Sequence, residues 1–192
     1  MASDDFNRAD GGLGANWVRV NGTALAIVSN RVESVAANAG IMKYDTGTWA
    51  DNQESQVTMV SAPSGKACGP AVRLSGTDGT SVGYVFVTDH VSYTYLMTLD
   101  NGVLNAMGAG LATPAAGSVL KITASGTTIE AFDDGVSLGT RTNASYASGK
   151  PGIYGEGAGT VIQIDDWSGV GDSGGGSGHY GRLAGESQGL AG

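Results

Sequence analysis

Residues 119–139 read VLKITASGTTIEAFDDGVSLG, and this stretch decides the fold. Apolar and polar residues alternate from Leu120 to Ala124, which is the period of a β-strand with one buried face. Turn signals at Ser125-Gly126 and at Asp133-Asp134-Gly135 divide the stretch into three such segments. The pattern therefore predicts a three-stranded antiparallel meander.

Strand patterns continue on both sides of this meander. They occupy residues 56–61, 71–75, 82–87, 93–99, 150–155 and 161–167. Asp100-Asn101-Gly102 is a hairpin signal, because Asn-Gly adopts positive φ easily. The 33 glycines fit many tight turns, and no ten-residue helical pattern separates the strands. We expect an all-β, antiparallel two-sheet sandwich, with residues 46–55 and 105–117 as long loops that could carry a site.

Both ends of the strand-rich region resemble a known family. The chain opens with Asp4-Asp5-Phe6-Asn7-Arg8-Ala9-Asp10-Gly11-Gly12-Leu13-Gly14-Ala15-Asn16-Trp17 and closes with Ile164-Asp165-Asp166-Trp167. Both stretches are similar to the edges of concanavalin A-like lectin/glucanase sandwiches, and residues 120–135 are similar to a segment of laminin-G-like domains. The resemblance implies a jelly-roll of the kind found in bacteriophage structural and appendage proteins. It also implies that the closing strand pairs near the first one.

The composition changes after Ser168. We expect a sandwich over residues 1–168 and a Gly/Ser-rich linker with a C-terminal arm over residues 169–192. An arm with so few apolar side chains should be disordered when alone, so we expect another subunit to hold it. The expected subunit contacts are Tyr180, Arg182, Leu183 and Leu190.

Charge and cysteine content exclude several classes of function. The net charge is −8 and no basic cluster occurs, which argues against nucleic acid and against an anionic membrane surface. No stretch approaches the roughly 20 apolar residues of a membrane helix, so we expect no membrane insertion. The single cysteine, Cys68, excludes an intrachain disulfide and is interpreted as a small buried residue near a turn.

Catalytic signatures are weak. A glycosidase needs two carboxylates on one face, and the Glu-x-Asp-x-Glu pattern of laminarinase-type enzymes does not occur. Adjacent aspartates in a regular strand point to opposite faces. His90 and His179 stand in no arrangement typical of a triad or of zinc. We therefore expect a protein that is not an enzyme, with a glycoside hydrolase as the second alternative.

Aromatic and polar residues suggest where a glycan would bind. Trp49 lies in a predicted loop beside Asp51, Asn52 and Gln53, and these four residues are one candidate platform. Tyr84, Tyr93 and Tyr95 could line the concave sheet face. The structural alternatives are cross-strand packing for the three tyrosines and a strand-end core position for Trp49.

A metal site is the remaining candidate. Asp10, Asp165 and Asp166 could supply oxygen ligands to Ca²⁺, which the family resemblance allows, although no cofactor is required. The alternative is structural, with one aspartate facing solvent and another binding the turn near the N-terminal strand.

The expected function combines these observations. The chain shows no secretory leader, so we expect synthesis in the host cytoplasm and a place on a virion surface as a capsid decoration, head appendage or tail appendage. Its partners would be other virion subunits or its own copies, together with a cell-surface glycan. The first alternative is a stand-alone, extracellular carbohydrate-binding module.

Overall fold

The computed structural model describes residues 1–35, 39–62, 65–157 and 162–171. These residues form sixteen strands and contain no helix. The strands are β1 Ala2–Asp4, β2 Gly11–Gly12, β3 Trp17–Gly22, β4 Leu25–Val28, β5 Arg31–Ser34, β6 Gly40–Tyr44, β7 Gln53–Ser61, β8 Ala67–Ser75, β9 Val82–Thr88, β10 Thr94–Asp100, β11 Val103–Ala106, β12 Val119–Ser125, β13 Thr128–Asp133, β14 Val136–Thr142, β15 Lys150–Glu156 and β16 Gln163–Gly171. Within the described ranges, then, nothing resembles a helix that could span a membrane.

The strands form two antiparallel sheets. The nine-stranded sheet has the order β14-β13-β12-β7-β16-β5-β4-β2, with β1 also paired to β16. The seven-stranded sheet has the order β11-β10-β9-β8-β15-β6-β3. Neighbours far apart in sequence, such as β7 and β16, pair in the middle of a sheet. The all-β jelly-roll sandwich expected from the sequence is confirmed.

The predicted meander and hairpins are confirmed at their turns. β12, β13 and β14 pair in sequence order, and Asp134 and Gly135 turn the chain with φ of 47° and 80°. Asn101 and Gly102 join β10 to β11 with φ of 48° and 86°. Positive φ at both turn residues matches the right-handed twist of the paired strands.

The two ends of the sandwich meet, as the resemblance implied. β1 pairs with β16, and Asp4 lies opposite Trp167. Trp17 and Trp167 are both buried, and their ring centroids lie 4.8 Å apart in an edge-on arrangement. The ring of Tyr44 stacks on Trp167 at 4.8 Å. This aromatic cluster places both tryptophans in the core, at the point where the two ends of the sandwich meet.

Three predicted boundaries differ from the structure. β16 continues through Gly171, three residues beyond the boundary predicted at Ser168, because Gly169 to Gly171 still pair with β7. Likewise β7 begins at Gln53, inside the loop predicted over 46–55, and β11 includes Asn105 and Ala106 from the loop predicted over 105–117. The arm contacts Tyr180, Arg182, Leu183 and Leu190 lie outside the described residues.

The seven-stranded sheet is apolar on both faces. Along β9, Tyr84 and Phe86 point into the core between the sheets, whereas Val85 and Val87 point to the opposite, outer face. A second buried cluster covers this outer face. Its members are Val20, Ile41, Ala67, Ala71, Leu74, Val85, Val87, Met97, Leu99 and Tyr154. The sandwich therefore has a central core and a smaller outer-face cluster.

Candidate binding site on the outer face of the seven-stranded sheet

A cavity of about 530 Å³ opens on the outer face of the seven-stranded sheet, and we refer to it as the Tyr93 cavity. It crosses β11, β10, β9, β8 and β15, so it spans roughly 19 Å at the usual strand spacing. Its floor is apolar and comes from the outer-face cluster and β11, through Ala67, Val87, Met97, Leu104 and Tyr154. Its polar lining comprises Lys66, Asp89, Ser92, Tyr93 and Glu156. An apolar surface with a few polar groups is typical of ligand sites.

One wall of the cavity is the turn between β9 and β10. The Asp89 Oδ1 accepts hydrogen bonds from the backbone N–H groups of Val91, Ser92 and Tyr93 at 2.9, 2.8 and 2.7 Å. Asp89 Oδ2 also accepts from the Ser92 hydroxyl at 3.2 Å. Burial raises the pKa of this carboxyl group, but the four hydrogen bonds outweigh burial and lower the pKa to about 2. Asp89 is therefore an ionised brace that fixes the turn.

The braced turn holds an aromatic ring at the rim of the cavity. Tyr93 is 40% exposed, although it lies beside an apolar floor. Its ring centroid lies 4.6 Å from that of Tyr95, with a tilt of 46° between the rings. Burial raises the pKa of the Tyr93 hydroxyl, and the nearby Tyr95 and Glu156 raise it further. The structure thus brings the predicted pair Tyr93 and Tyr95 together on one face.

The opposite wall comes from the neighbouring ends of β8 and β15. Lys66 directly precedes β8, and Glu156 is the last residue of β15 and pairs with Ala67. Tyr154 donates a hydrogen bond from its hydroxyl to Glu156 Oε2 at 2.5 Å. Burial, followed by this hydrogen bond, raises the pKa of Tyr154 far above its ordinary range. Tyr154 is therefore a neutral donor at the floor of the cavity.

The expectation that Tyr84 lines this face is wrong. Tyr84 is fully buried on the inner face, where its hydroxyl donates to Asn143 Oδ1 at 2.9 Å and accepts from the Tyr146 N–H at 3.0 Å. The reason is strand parity, because Tyr84 is an even-numbered β9 residue like Phe86, whereas the cavity residue Val87 is odd-numbered. Tyr84 is therefore a packing residue of the sheet, which is the structural alternative considered for it.

The Trp49 platform is not assembled as one surface. Trp49 is partly buried against the central core, and its indole donates to the Thr46 carbonyl at 3.1 Å. Gln53 is buried, with its amide bound to the carbonyls of Ala50 and Gly149 and to the Arg73 N–H, so its expected role in binding a glycan is wrong. Asp51 and Asn52 are exposed, and Asn52 Oδ1 accepts from the Gly126 N–H. Trp49 lines a smaller cavity of about 240 Å³.

The three aspartates suggested for Ca²⁺ serve local roles. Asp10 Oδ1 accepts from the Ser29 N–H at 2.8 Å in the turn between β4 and β5. Asp165 and Asp166 lie at a bulge of β16, where Asp166 has φ of 48°. Burial raises the pKa of Asp165. Across the described ranges, no group of three or more His, Cys, Asp or Glu side chains is arranged to hold a metal. Calcium binding by Asp10, Asp165 and Asp166 stays a prediction.

Sequence reasoning missed most of the cavity wall. Lys66, Asp89 and Glu156 are separated by 20 residues or more and meet only because β8, β9 and β15 are neighbours in the sheet. A usable signal existed at Asp89, which follows a strand and starts a short polar segment, as in turns closed by an aspartate side chain. No comparable pattern marks Lys66 or Glu156.

Comparisons with known proteins found solved structures of similar fold. The sequence matches no known protein family and no curated protein. Among solved structures, the carbohydrate binding module CBM66 from Bacillus subtilis has a TM-score of 0.54 at 13% identity, over 84% of this chain and 96% of that one. A legume lectin-like domain from Entamoeba histolytica has a TM-score of 0.51 at 14% identity, over 81% of this chain and 90% of that one. The catalytic domain of an endo-1,3-beta-glucanase (laminarinase) from Thermotoga petrophila RKU-1 has a TM-score of 0.51 at 11% identity, over 88% and 96%.

At sequence identities this low, the comparisons establish a similar fold only. Function has to be argued from the residues of the site. Non-catalytic binding domains and a hydrolase share the architecture, so fold alone does not select between them. The strand order, the paired ends and these three structures agree with one another. The chain has the concanavalin A-like jelly-roll fold.

Proposed function

We propose that this protein is a non-catalytic carbohydrate-binding module and that the Tyr93 cavity holds the glycan. The observation that carries the proposal is the exposed ring of Tyr93 at the rim of a cavity with an apolar floor and a polar wall. A sugar has apolar C–H faces and polar hydroxyl edges, so it needs an aromatic surface beside hydrogen-bonding groups. The likeness of fold to a carbohydrate binding module and to a legume lectin-like domain also supports it.

The chemistry of the two cavity carboxylates favours binding over hydrolysis. A glycosidase needs one carboxyl group that stays protonated to act as the acid. The pKa of Asp89 is about 2, and its oxygens are occupied by the turn. Glu156 is held by the hydroxyl of Tyr154. With Asp89 occupied by its turn, the cavity does not offer the two free carboxyl groups that a glycosidase needs.

The virion location and the assembly partners expected from the sequence stay predictions. The described residues carry the proposed binding site within a single chain. A role on a virion surface would use the same site to attach to a glycan. The binding proposal therefore holds for a free module and for a subunit of a larger assembly.

Binding is tested by affinity electrophoresis in gels that contain xylan, mannan, β-glucan, polygalacturonate or alginate. We expect at least one polymer to slow the migration of the wild-type protein. Tyr93→Ala should weaken that retardation about tenfold, as expected for loss of a central aromatic contact. Phe132→Ala is the matched control, since it removes a partly exposed ring from the nine-stranded sheet. Retention of full binding by Tyr93→Ala, or no retardation of the wild-type protein, would contradict the proposal.

A further inference from the structure

Lys66 differs from every other described lysine and arginine. Nine of these residues lie in the described ranges, and eight of them use their charged group in a hydrogen bond or salt bridge. These eight are Arg8, Arg19, Arg31, Lys43, Arg73, Lys121, Arg141 and Lys150. The ammonium group of Lys66 has no such contact within the described part of the chain, and Lys66 is one of the residues that line the Tyr93 cavity.

The stem of Lys66 lies over Gly157. A Cβ atom on Gly157 would lie 2.2 Å from Lys66 Cδ, so the lysine stem fills the space that a side chain would take there. Gly157 also has φ of 125°, which a larger residue rarely adopts. The stem of Lys66 therefore lies over the residue that follows Glu156, and Lys66 lines the same cavity as Glu156.

Glu156 offers the complementary group. Its Oε2 accepts from the Tyr154 hydroxyl, whereas its Oε1 accepts no hydrogen bond from a described residue. Lys66 and Glu156 line the same cavity from adjacent strands, yet they do not form a salt bridge. The wall thus presents one unused donor group and one unused acceptor oxygen, which are not paired with each other.

Such a pair selects among sugars by charge. Each sugar hydroxyl can donate and accept, so neighbouring hydroxyls can accept from the ammonium group and donate to the carboxylate at the same time. A sugar carboxylate or sulfate would pair with Lys66 but would be repelled by Glu156. The two charges of the wall cancel, and the charge of Asp89 is already bound by its own turn.

Resting on the proposed function, we infer that the ligand is a neutral sugar whose neighbouring hydroxyls bridge Lys66 and Glu156. Lys66 and Glu156 are then the specificity-determining residues, while Tyr93 supplies the stacking surface. Acidic glycans such as uronic acid polymers are excluded by Glu156.

The test uses the full-length protein and the same gels, with xylan, mannan and β-glucan as neutral probes and polygalacturonate and alginate as acidic ones. We expect retardation by a neutral polymer only, with little change between about 0.05 M and about 0.5 M salt, since no net charge is neutralised. Lys66→Met and Glu156→Gln should each weaken it about tenfold, because each takes away a charged hydrogen-bond partner of the sugar. The double variant should lose less than the product of the two single losses.

Lys121→Met is the matched control, since it removes the same charge from the nine-stranded sheet. Three outcomes would overturn the inference while the proposed function stands, provided that Tyr93→Ala still weakens binding. The first outcome is that Lys66→Met leaves the binding of neutral polymers unchanged. The second is that the wild-type protein binds acidic polymers alone. The third is that it binds acidic polymers in a way that Glu156→Gln strengthens and that high salt abolishes. A wild-type protein that no polymer retards would overturn the proposed function itself and the inference with it.

Discussion

The indole Nε1 of Trp167 donates a hydrogen bond to Ser55 Oγ at 3.0 Å, and both side chains are buried. The Ser55 hydroxyl in turn donates to the Gly152 carbonyl at 2.8 Å. Trp167 and Ser55 belong to the nine-stranded sheet, whereas Gly152 belongs to the seven-stranded sheet. One hydroxyl group therefore joins the two layers in the middle of the core.

Ser55→Ala should destabilise the fold. The change leaves the Trp167 N–H and the Gly152 carbonyl without their shared partner, which typically costs about 1–3 kcal/mol of unfolding free energy. Urea unfolding followed by tryptophan fluorescence measures the loss. Ser125→Ala, at an exposed strand end, is the control and should stay within roughly 0.5 kcal/mol of the wild-type protein. Equal stability of the two variants would show that the bridge between the sheets adds nothing.

Gly152→Ala should be more damaging, because β15 runs very close to its neighbours at this residue. An added Cβ would lie 2.1 Å from the Met42 carbonyl oxygen and 2.7 Å from Leu74 Cδ1. We expect a loss of about 3 kcal/mol or more, as for strong overpacking. Gly12→Ala is the matched control, since a Cβ there meets no atom within 4 Å. Thermal unfolding of the two variants compares them directly, and a similar midpoint for both would contradict the expected clash.

Acid should weaken the protein through carboxylates that the fold keeps ionised. The pKa of Asp89 falls from 3.8 to about 2 on folding, and the hydrogen bonds of Asp4 also hold its pKa below the ordinary value despite burial. A lowered folded-state pKa stabilises the protein above the unfolded value, and this contribution disappears as pH falls from about 3.8 towards 2. Urea unfolding at a series of pH values should show that decline.

Asp89→Asn isolates the part of the pH dependence of stability that comes from the turn braced by Asp89. This variant should lose about 1–2 kcal/mol near neutral pH and should show a shallower decline in acid, because one titrating group is gone. Asp51→Asn, which removes one carboxylate from an exposed position, is the control. An unchanged acid slope in Asp89→Asn would contradict the role of the turn in the pH dependence.

Cys68 should be inert in the folded protein. Its side chain is fully buried in β8, and burial raises the pKa of its thiol to about 12. Because only the thiolate reacts, a disulfide reagent near pH 8 should label no thiol until the chain unfolds, and one thiol per chain afterwards. Rapid labelling without denaturant would show that β8 opens far more readily than its packing implies.

Much of the fold was predictable from local pattern. The alternation in β12 and the two turn signals over 119–139 predicted the meander, since buried and partly exposed residues alternate along β12 and both turns join paired strands. The resemblance at the two ends implied their pairing, which Asp4 and Trp167 make. These features depend on residues close in sequence or on short motifs.

The site was harder to predict because the seven-stranded sheet is apolar on both faces. In β9 both faces of the strand are buried, so alternation could not tell that Tyr84 points inward while Val87 points to the cavity. The sequence suggested a loop at Gln53. In the structure its amide oxygen accepts from the Arg73 N–H at a bulge of β8, and the sequence carries no signal for this bulge. Lys66 and Glu156 came together only through the pairing of β8 with β15.

The outer-face cluster has a consequence for how this scaffold tolerates change. The floor of the Tyr93 cavity is part of that cluster, whereas Tyr93 sits on a turn and Lys66 and Glu156 sit at strand ends. Selection can therefore replace the residues of the rim while the anchored layer beneath them is preserved. The same division makes residues 90–93 a natural place to graft new recognition sequences, with Asp89 kept as the brace of the turn and the buried layer serving as a fixed platform.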